Sequence, residues 1–196
     1  MLDGDTPELN QRLARRVREL RAARGLSLEA LAAGSGVSRS MISLIERGQS
    51  SPTAVVLEKL ATGLGVPLPA LFDDPAAPAE PVRRRADQPV WQDPGSGYRR
   101  RNVSPAGVGS PIRIVEVEFP AGARVAYETA ARTPAVHQQI WVLDGRIDVS
   151  WGRQTYRLDA GDCLAMQLDA PTVFHNPTRR RAHYAVVLAG DPAAPR

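Results

Sequence analysis

The sequence predicts a multidomain α + β fold, helical over residues 1–72 and β-rich over residues 90–190, with a linker over 73–89 between them. Three observations carry that prediction. Apolar side chains recur at helical spacing as far as Phe72. Composition then changes abruptly at Asp73, where DDPAAPAEP is polar and proline-rich and reads as a semi-rigid connector. Beyond it the apolar period falls to two. With 196 residues and 43% apolar content, the chain is long enough for two modest cores.

In the first part, Thr6 and Pro7 supply a cap and a first-turn proline, Leu9, Leu13, Val17 and Leu20 share one face, and Gly25 ends the helix. Ser27 can cap a second helix with Leu28 and Leu31 inward, and Ser38 a third after the Gly34-Ser35-Gly36 turn. Ser51 and Pro52 open a fourth, with Val56, Leu57, Leu60 and Leu64 as its apolar stripe, and Val66 to Phe72 closes the core as a fifth.

In the second part, RIVEVEF from Arg113, QIWVL from Gln139, IDVSW from Ile147 and YAVVL from Tyr184 are β-rich runs. Turn signals at Pro120-Ala121-Gly122, Asp144-Gly145 and Ala160-Gly161-Asp162 separate them. Short strands at such close spacing imply a sandwich or barrel.

Composition bounds the function class. A net charge of +4 and a pI near 9.8 are compatible with a polyanionic partner, but the excess is too small to decide anything. Cys163 is the only cysteine, so no intrachain disulfide forms, and MLDGDTPELN lacks the basic-then-apolar pattern of a signal peptide. No apolar run approaches the roughly 20 residues of a membrane-spanning helix. The expectation is a cytoplasmic protein without a membrane association.

The most informative stretch is Leu28 to Arg47, LEALAAGSGVSRSMISLIER, which places small and apolar residues where two helices cross at a tight turn. On the helix opened by Ser38, Arg39, Ser43 and Arg47 lie on one i, i+4 row with Ser40 beside them, while Val37, Ile42 and Ile45 point the other way. Arg39 suits a bidentate contact to guanine, and Ser40 and Ser43 can bond base edges or phosphates. Ser27 and Thr53 begin flanking helices, where free amides and the helix dipole favour phosphate. Taken singly, each serine or threonine reads first as an ordinary cap or solvated surface.

The full segment from Val17 to Phe72 resembles the Cro and phage-repressor type (XRE family) helix-turn-helix domain of bacterial regulators. That resemblance implies a five-helix, lambda-repressor-like unit, a recognition helix from Ser38, and binding as a dimer to palindromic operator DNA. It also makes Glu46, in the IERG phrase, structural rather than base-contacting.

Farther along, VLDG ending at Gly145, GDCLAM beginning at Gly161, and Asn176 carry a second resemblance. Positions 131–187 resemble a cupin, the jelly-roll barrel also called a double-stranded β-helix. Cupin enzymes hold a metal with three histidines and a glutamate. The resemblance puts those slots at Ala131 or Arg132, Thr133 or Pro134, Gln138 and Thr172, none of them an expected ligand. Of the three histidines, His137 and His175 have the wrong strand parity to replace them, and all three, His183 included, read as satisfied or surface histidines rather than a metal trio. No metal and no cofactor are therefore expected. A barrel without metal still has an interior, and Tyr127, Arg132, Gln138, Gln167 and Thr172 would give it a mixed polar lining for a small-molecule effector, with Arg132 set to pair an anion. The alternative is an interior filled by side chains in a barrel that only dimerises. The runs Arg83–Arg85, Arg99–Arg101 and Arg179–Arg181 read as solvated surface or dimer contacts.

The expected protein is thus a transcriptional regulator, not an enzyme. As a homodimer it would set two recognition helices on double-stranded operator DNA roughly 34 Å apart. The competing reading is a cupin-type metalloenzyme, because the same pair of domains resembles a non-haem iron epoxidase acting on a hydroxyphosphonate. Such chemistry needs two histidines and a carboxylate, which this chain lacks at the matching positions.

Overall fold

The computed structural model describes residues 6–74, 79–128 and 135–190. Its helical part holds α1 (Thr6–Ala23), α2 (Leu28–Ser35), α3 (Arg39–Glu46) and α4 (Ala54–Gly63). The expected fifth helix is instead a single 3-10 turn over Leu68–Phe72. Pro67 caps it and Pro69 lies in its first turn, where the missing amides cost nothing, and the backbone returns to an extended conformation at Asp73, so the segment ends after five residues.

Two glycines set the packing. Gly36 takes φ +68 after α2, a conformation L side chains rarely adopt, and so aims α3 across α2. Gly63 lies so near Ser35 that a Cβ there would stand 2.8 Å from the serine Cβ, which lets α4 close onto α2. Leu13, Val17, Leu31, Ile42, Ile45, Leu57, Leu60, Leu64 and Leu71 fill the space between the helices. Each such burial contributes about 1.5–3 kcal/mol.

The second part is built from β1 (Val90–Gln92), β2 (Arg99–Asn102), β3 (Ile112–Phe119), β4 (Arg124–Tyr127), β5 (His137–Asp144), β6 (Arg146–Trp151), β7 (Gln154–Asp159), β8 (Cys163–Gln167), β9 (Thr172–His175) and β10 (Ala182–Ala189). They pair antiparallel in two sheets, β1-β2-β3-β10-β5-β8 and β4-β9-β6-β7. The expected closed barrel is corrected to two open sheets facing each other, since among the described residues no ladder joins one sheet to the other. Inward side chains alternate along the long strands. On β3 these are Val115, Val117 and Phe119, and on β10 Ala182, Tyr184, Val186 and Leu188.

The two parts share one hydrophobic cluster rather than hanging on a free tether. Phe72 meets Trp91 at 5.9 Å between ring centroids, Trp91 meets Tyr98 at 5.8 Å, and Tyr98 meets Phe119 at 5.8 Å, so an aromatic run passes from the last helical turn into the sandwich. Polar ties flank it: Lys59 on α4 reaches Glu128 at 2.8 Å and Arg113 reaches Asp73 at 3.4 Å. In the connecting segment, Arg85–Asp87 forms a short 3-10 turn, and Arg83 donates from Nη1 to the Ser104 carbonyl at 3.2 Å, holding it to the sandwich.

Candidate nucleic-acid interface and internal cavity

Helix α3 exists because Ser38, in extended conformation, accepts from the Met41 amide at 3.3 Å while Ile42 and Ile45 bury the opposite side. Arg39, Ser40 and Arg47 are exposed and Ser43 is half-buried. The Ser38 and Ser40 hydroxyls lie 3.2 Å apart, and Arg47 donates back to the Ser43 carbonyl at 3.2 Å. Arg39 is not idle: its Nε donates to Glu29 of α2, and both side chains are mostly exposed. Glu29's own amide, followed by that arginine, holds its carboxyl below the usual range. Behind the helix, Glu46 accepts twice from Arg21 of α1, at 2.6 and 2.8 Å, and Arg21 also donates to the Leu26 carbonyl at 2.8 Å. The Glu46 bond raises Arg21 still further. This nearly buried fork, with the Glu46 side chain 7% exposed, pins α3 to α1 and accounts for Glu46 structurally.

At the flanking helices the caps are used as caps. Ser27 accepts from the Ala30 amide at 3.0 Å and Thr53 from the Val56 amide at 3.4 Å. The expectation that phosphate sits at Thr53 is corrected. The Ala54 amide is already bonded, at 2.8 Å, to the buried carboxylate of Asp93 from the sandwich, and an anion there would meet a like charge.

Between the sheets, roofed by Pro67, Leu68 and Pro69 and bordered by Glu58 of α4, lies a cavity of about 70 Å³. Tyr127, Gln138 and Thr172 line it together with Tyr98, Arg100, Phe119, Phe174 and Tyr184. Tyr98 and Tyr127 hydroxyls are 3.2 Å apart. Burial raises Tyr98, and raises Tyr127 and Tyr184 well above the ordinary phenol value; Arg100 opposes the rise in all three. The guanidinium of Arg100, 7% exposed, donates from Nε to Asn102 at 3.3 Å and lies 5.8 Å over the Phe72 ring. Its Nη2 is buried without a hydrogen-bond partner.

A sequence profile of the helix-turn-helix family HTH_3 matches residues 17–71. The chain is 26% identical over 172 residues to the HTH-type transcriptional regulator SutR of Escherichia coli, covering 88% of this chain and 91% of that protein. It is 28% identical over 163 residues to the HTH-type transcriptional regulator PuuR of Escherichia coli, covering 83% and 86%. The crystal structure of an HTH_3 family transcriptional regulator from Vibrio cholerae superposes with a TM-score of 0.76 at 26% identity, over 95% of this chain and 99% of that one. The chain is a transcriptional regulator with an XRE-type helix-turn-helix domain.

In the regulator, Gln167 does not join the cavity, which corrects that expectation. On β8 it is Met166 that opposes Gln138, 3.9 Å from its amide, and Gln167 beside it belongs to the outer face with exposed His137. Arg132 lies outside the described residues, as do the slots at 131–134. At the described slots, the amide of Gln138 and the hydroxyl of Thr172, which donates to the Ala170 carbonyl at 3.1 Å, are a poor donor set for a transition metal. His175 is on β9, and His183 is occupied 2.9 Å from Glu116. Among the described residues no three His, Cys, Asp or Glu side chains gather as a metal site. Arg100 and Asp93 are the residues that sequence reading missed. A signal for Arg100 was present, since in a strand the middle arginine of RRRN must face opposite to its two neighbours.

Proposed function

We propose that the regulator reads operator DNA through the outer row of α3, Arg39, Ser40, Ser43 and Arg47, with Ser38 and Ser27 at the flanking phosphates. Residues 1–72 serve as the reading unit, 90–190 as the sensing and pairing unit, and 73–89 as the connection. The observation that carries this is the exposure of Arg39, Ser40 and Arg47, with Ser43 half-buried among them, while the aliphatic underside and the Arg21–Glu46 fork hold the helix in place. In unbound protein Arg39 is parked on Glu29, an exposed contact weak enough to be exchanged for a guanine edge. Pairing into a homodimer is supported by Ile112, Ile114, Trp141 and Leu143, all exposed on the outer face of the larger sheet. The cavity takes an effector rather than a substrate, for among the described residues its polar groups offer no metal-binding set and no nucleophile with an adjacent base. On this reading the chain acts in gene regulation in the cytoplasm rather than in catalysis.

The test begins with fragments of the source genome selected on the immobilised full-length chain. Against the operator so defined, Arg39→Ala weakens binding by about 1–3 kcal/mol and relaxes preference at one base position. Unchanged affinity and preference would remove Arg39, and with it the proposed register of α3.

A further inference from the structure

We infer that the internal cavity is a receptor for a small organic anion, a short-chain or single-ring carboxylate whose carboxyl group pairs with Arg100. This deepens the effector reading above and rests on it.

The argument starts from charge. A guanidinium stays protonated at any physiological pH, and Arg100 is more than nine-tenths buried. Among the described residues no carboxylate lies within ion-pair distance of it, although both its strand neighbours have one: Arg99 meets Glu118 at 3.3 Å and Arg101 meets Glu116 at 2.9 Å. Asn102 takes Nε, the Phe72 ring takes one face and the guanidinium also acts on the Tyr98 hydroxyl, while Nη2 stays buried without a hydrogen-bond partner on a side chain that lines the cavity. A buried cation with an unmet donor is expensive to keep unless an anion arrives to meet it.

The surroundings complete the receptor. Tyr98 and Tyr127 place hydroxyls 3.2 Å apart on the same cavity, and both are held protonated by burial, so they can donate to a second carboxylate oxygen. Val117, Val125 and Leu188 offer an apolar wall for the remainder of the molecule. At about 70 Å³ the space is smaller than the roughly 150 Å³ apolar cavity that holds benzene, so the occupant is a few carbons long, or one ring with some widening. An amine set against Arg100 would meet a like charge, as a carboxylate would beside Glu58, so the carboxyl group belongs at Arg100. The site also faces the reading unit: Phe72 under Arg100 and Pro67–Pro69 in the roof belong to the segment that ends the helical part. An anion that draws Arg100 toward itself therefore changes what Phe72 rests on.

The probes are acetate, propionate, butyrate and benzoate, each beside its neutral amide, titrated calorimetrically into the full-length chain at constant ionic strength. At least one carboxylate binds once per chain, about tenfold or more tighter than its amide, as expected for loss of a charge-assisted bond. Arg100→Gln abolishes the preference and Arg100→Lys retains part of it. The bound carboxylate also shifts affinity for the selected operator. Equal binding of acid and amide, no binding by any of the four acids, or a preference that survives in Arg100→Gln overturns the assignment. Unshifted operator affinity with the acid bound removes its regulatory consequence. Should Arg100→Gln not fold, the acid-against-amide comparison in the unaltered chain decides alone. If an amide binds and shifts operator affinity, the effector cavity stands and only the anion falls. If the chain binds no operator at all, the reading of α3 has failed independently of the cavity.

Discussion

Replacing Asp93 with alanine tests whether the reading unit and the sandwich behave as one body. The carboxylate is 3% exposed and accepts three bonds, from the Ala54 amide at 2.8 Å, the Ser96 amide at 2.8 Å and the Ser96 hydroxyl at 2.6 Å. Ala54 is fully buried, so its amide would be left unpaired, a loss of about 1–3 kcal/mol. Removing a negative charge from the start of α4 adds about 0.3–1 kcal/mol, and up to about 2 in a partly buried setting. The half-exposed Ser96 groups recover water and add little. The expected loss is about 3 kcal/mol, equivalent to a fall in Tm of about 6–12 °C for a chain of this size. Urea unfolding followed by helical circular dichroism and by the fluorescence of Trp91, Trp141 and Trp151, all in the sandwich, separates the units. Both signals should move together, since the cores are continuous. A loss below about 1 kcal/mol, or a helical transition that shifts alone, would refute the reasoning.

Acid stability depends on Glu116. Burial pushes its carboxyl up, but His183, Arg85 and Arg101 together outweigh that and hold it below the ordinary range. Its stabilisation is therefore present above the unfolded-chain value of about 4.3 and is lost as pH falls through the lower folded value. Glu116→Gln should be less stable than the unaltered chain at pH 7, with the gap closing on acidification, and a gap that is constant with pH would contradict this. Trp141→Glu, on the exposed apolar face, should shift sedimentation from dimer toward monomer while leaving the fold's circular dichroism unchanged; an unchanged sedimentation coefficient places the pairing surface elsewhere.

What could be read in advance was mostly local. Ser38 and Ser27 as caps, Gly36 in the left-handed turn, and the opposition of Ile42 and Ile45 to Arg39 and Arg47 all follow from spacing within one helix turn. Glu46 needed only the resemblance, and its partner Arg21 supplies the physical reason. The losses are long-range. Asp93 was one unremarked acid in a turn until the fold set it on Ala54, 39 residues earlier. Gln167 was misplaced by a single residue, which in a strand exchanges inside for outside. Arg100 was hidden within a basic run that looks like solvated surface until β2 is known to be a strand. The fifth helix failed because the apolar run from Val66 to Phe72 leaves room for only one turn between its cap at Pro67 and the extended backbone at Asp73.

The central claim is that α3 reads base sequence, and the most direct measurement is fluorescence anisotropy of the full-length chain with the selected operator and a scrambled duplex across a salt series. Affinity for both should fall linearly on a log-log plot against salt, with the operator held about a thousandfold or more tighter at physiological salt. Equal affinity for the two duplexes, or binding indifferent to salt, would contradict the account.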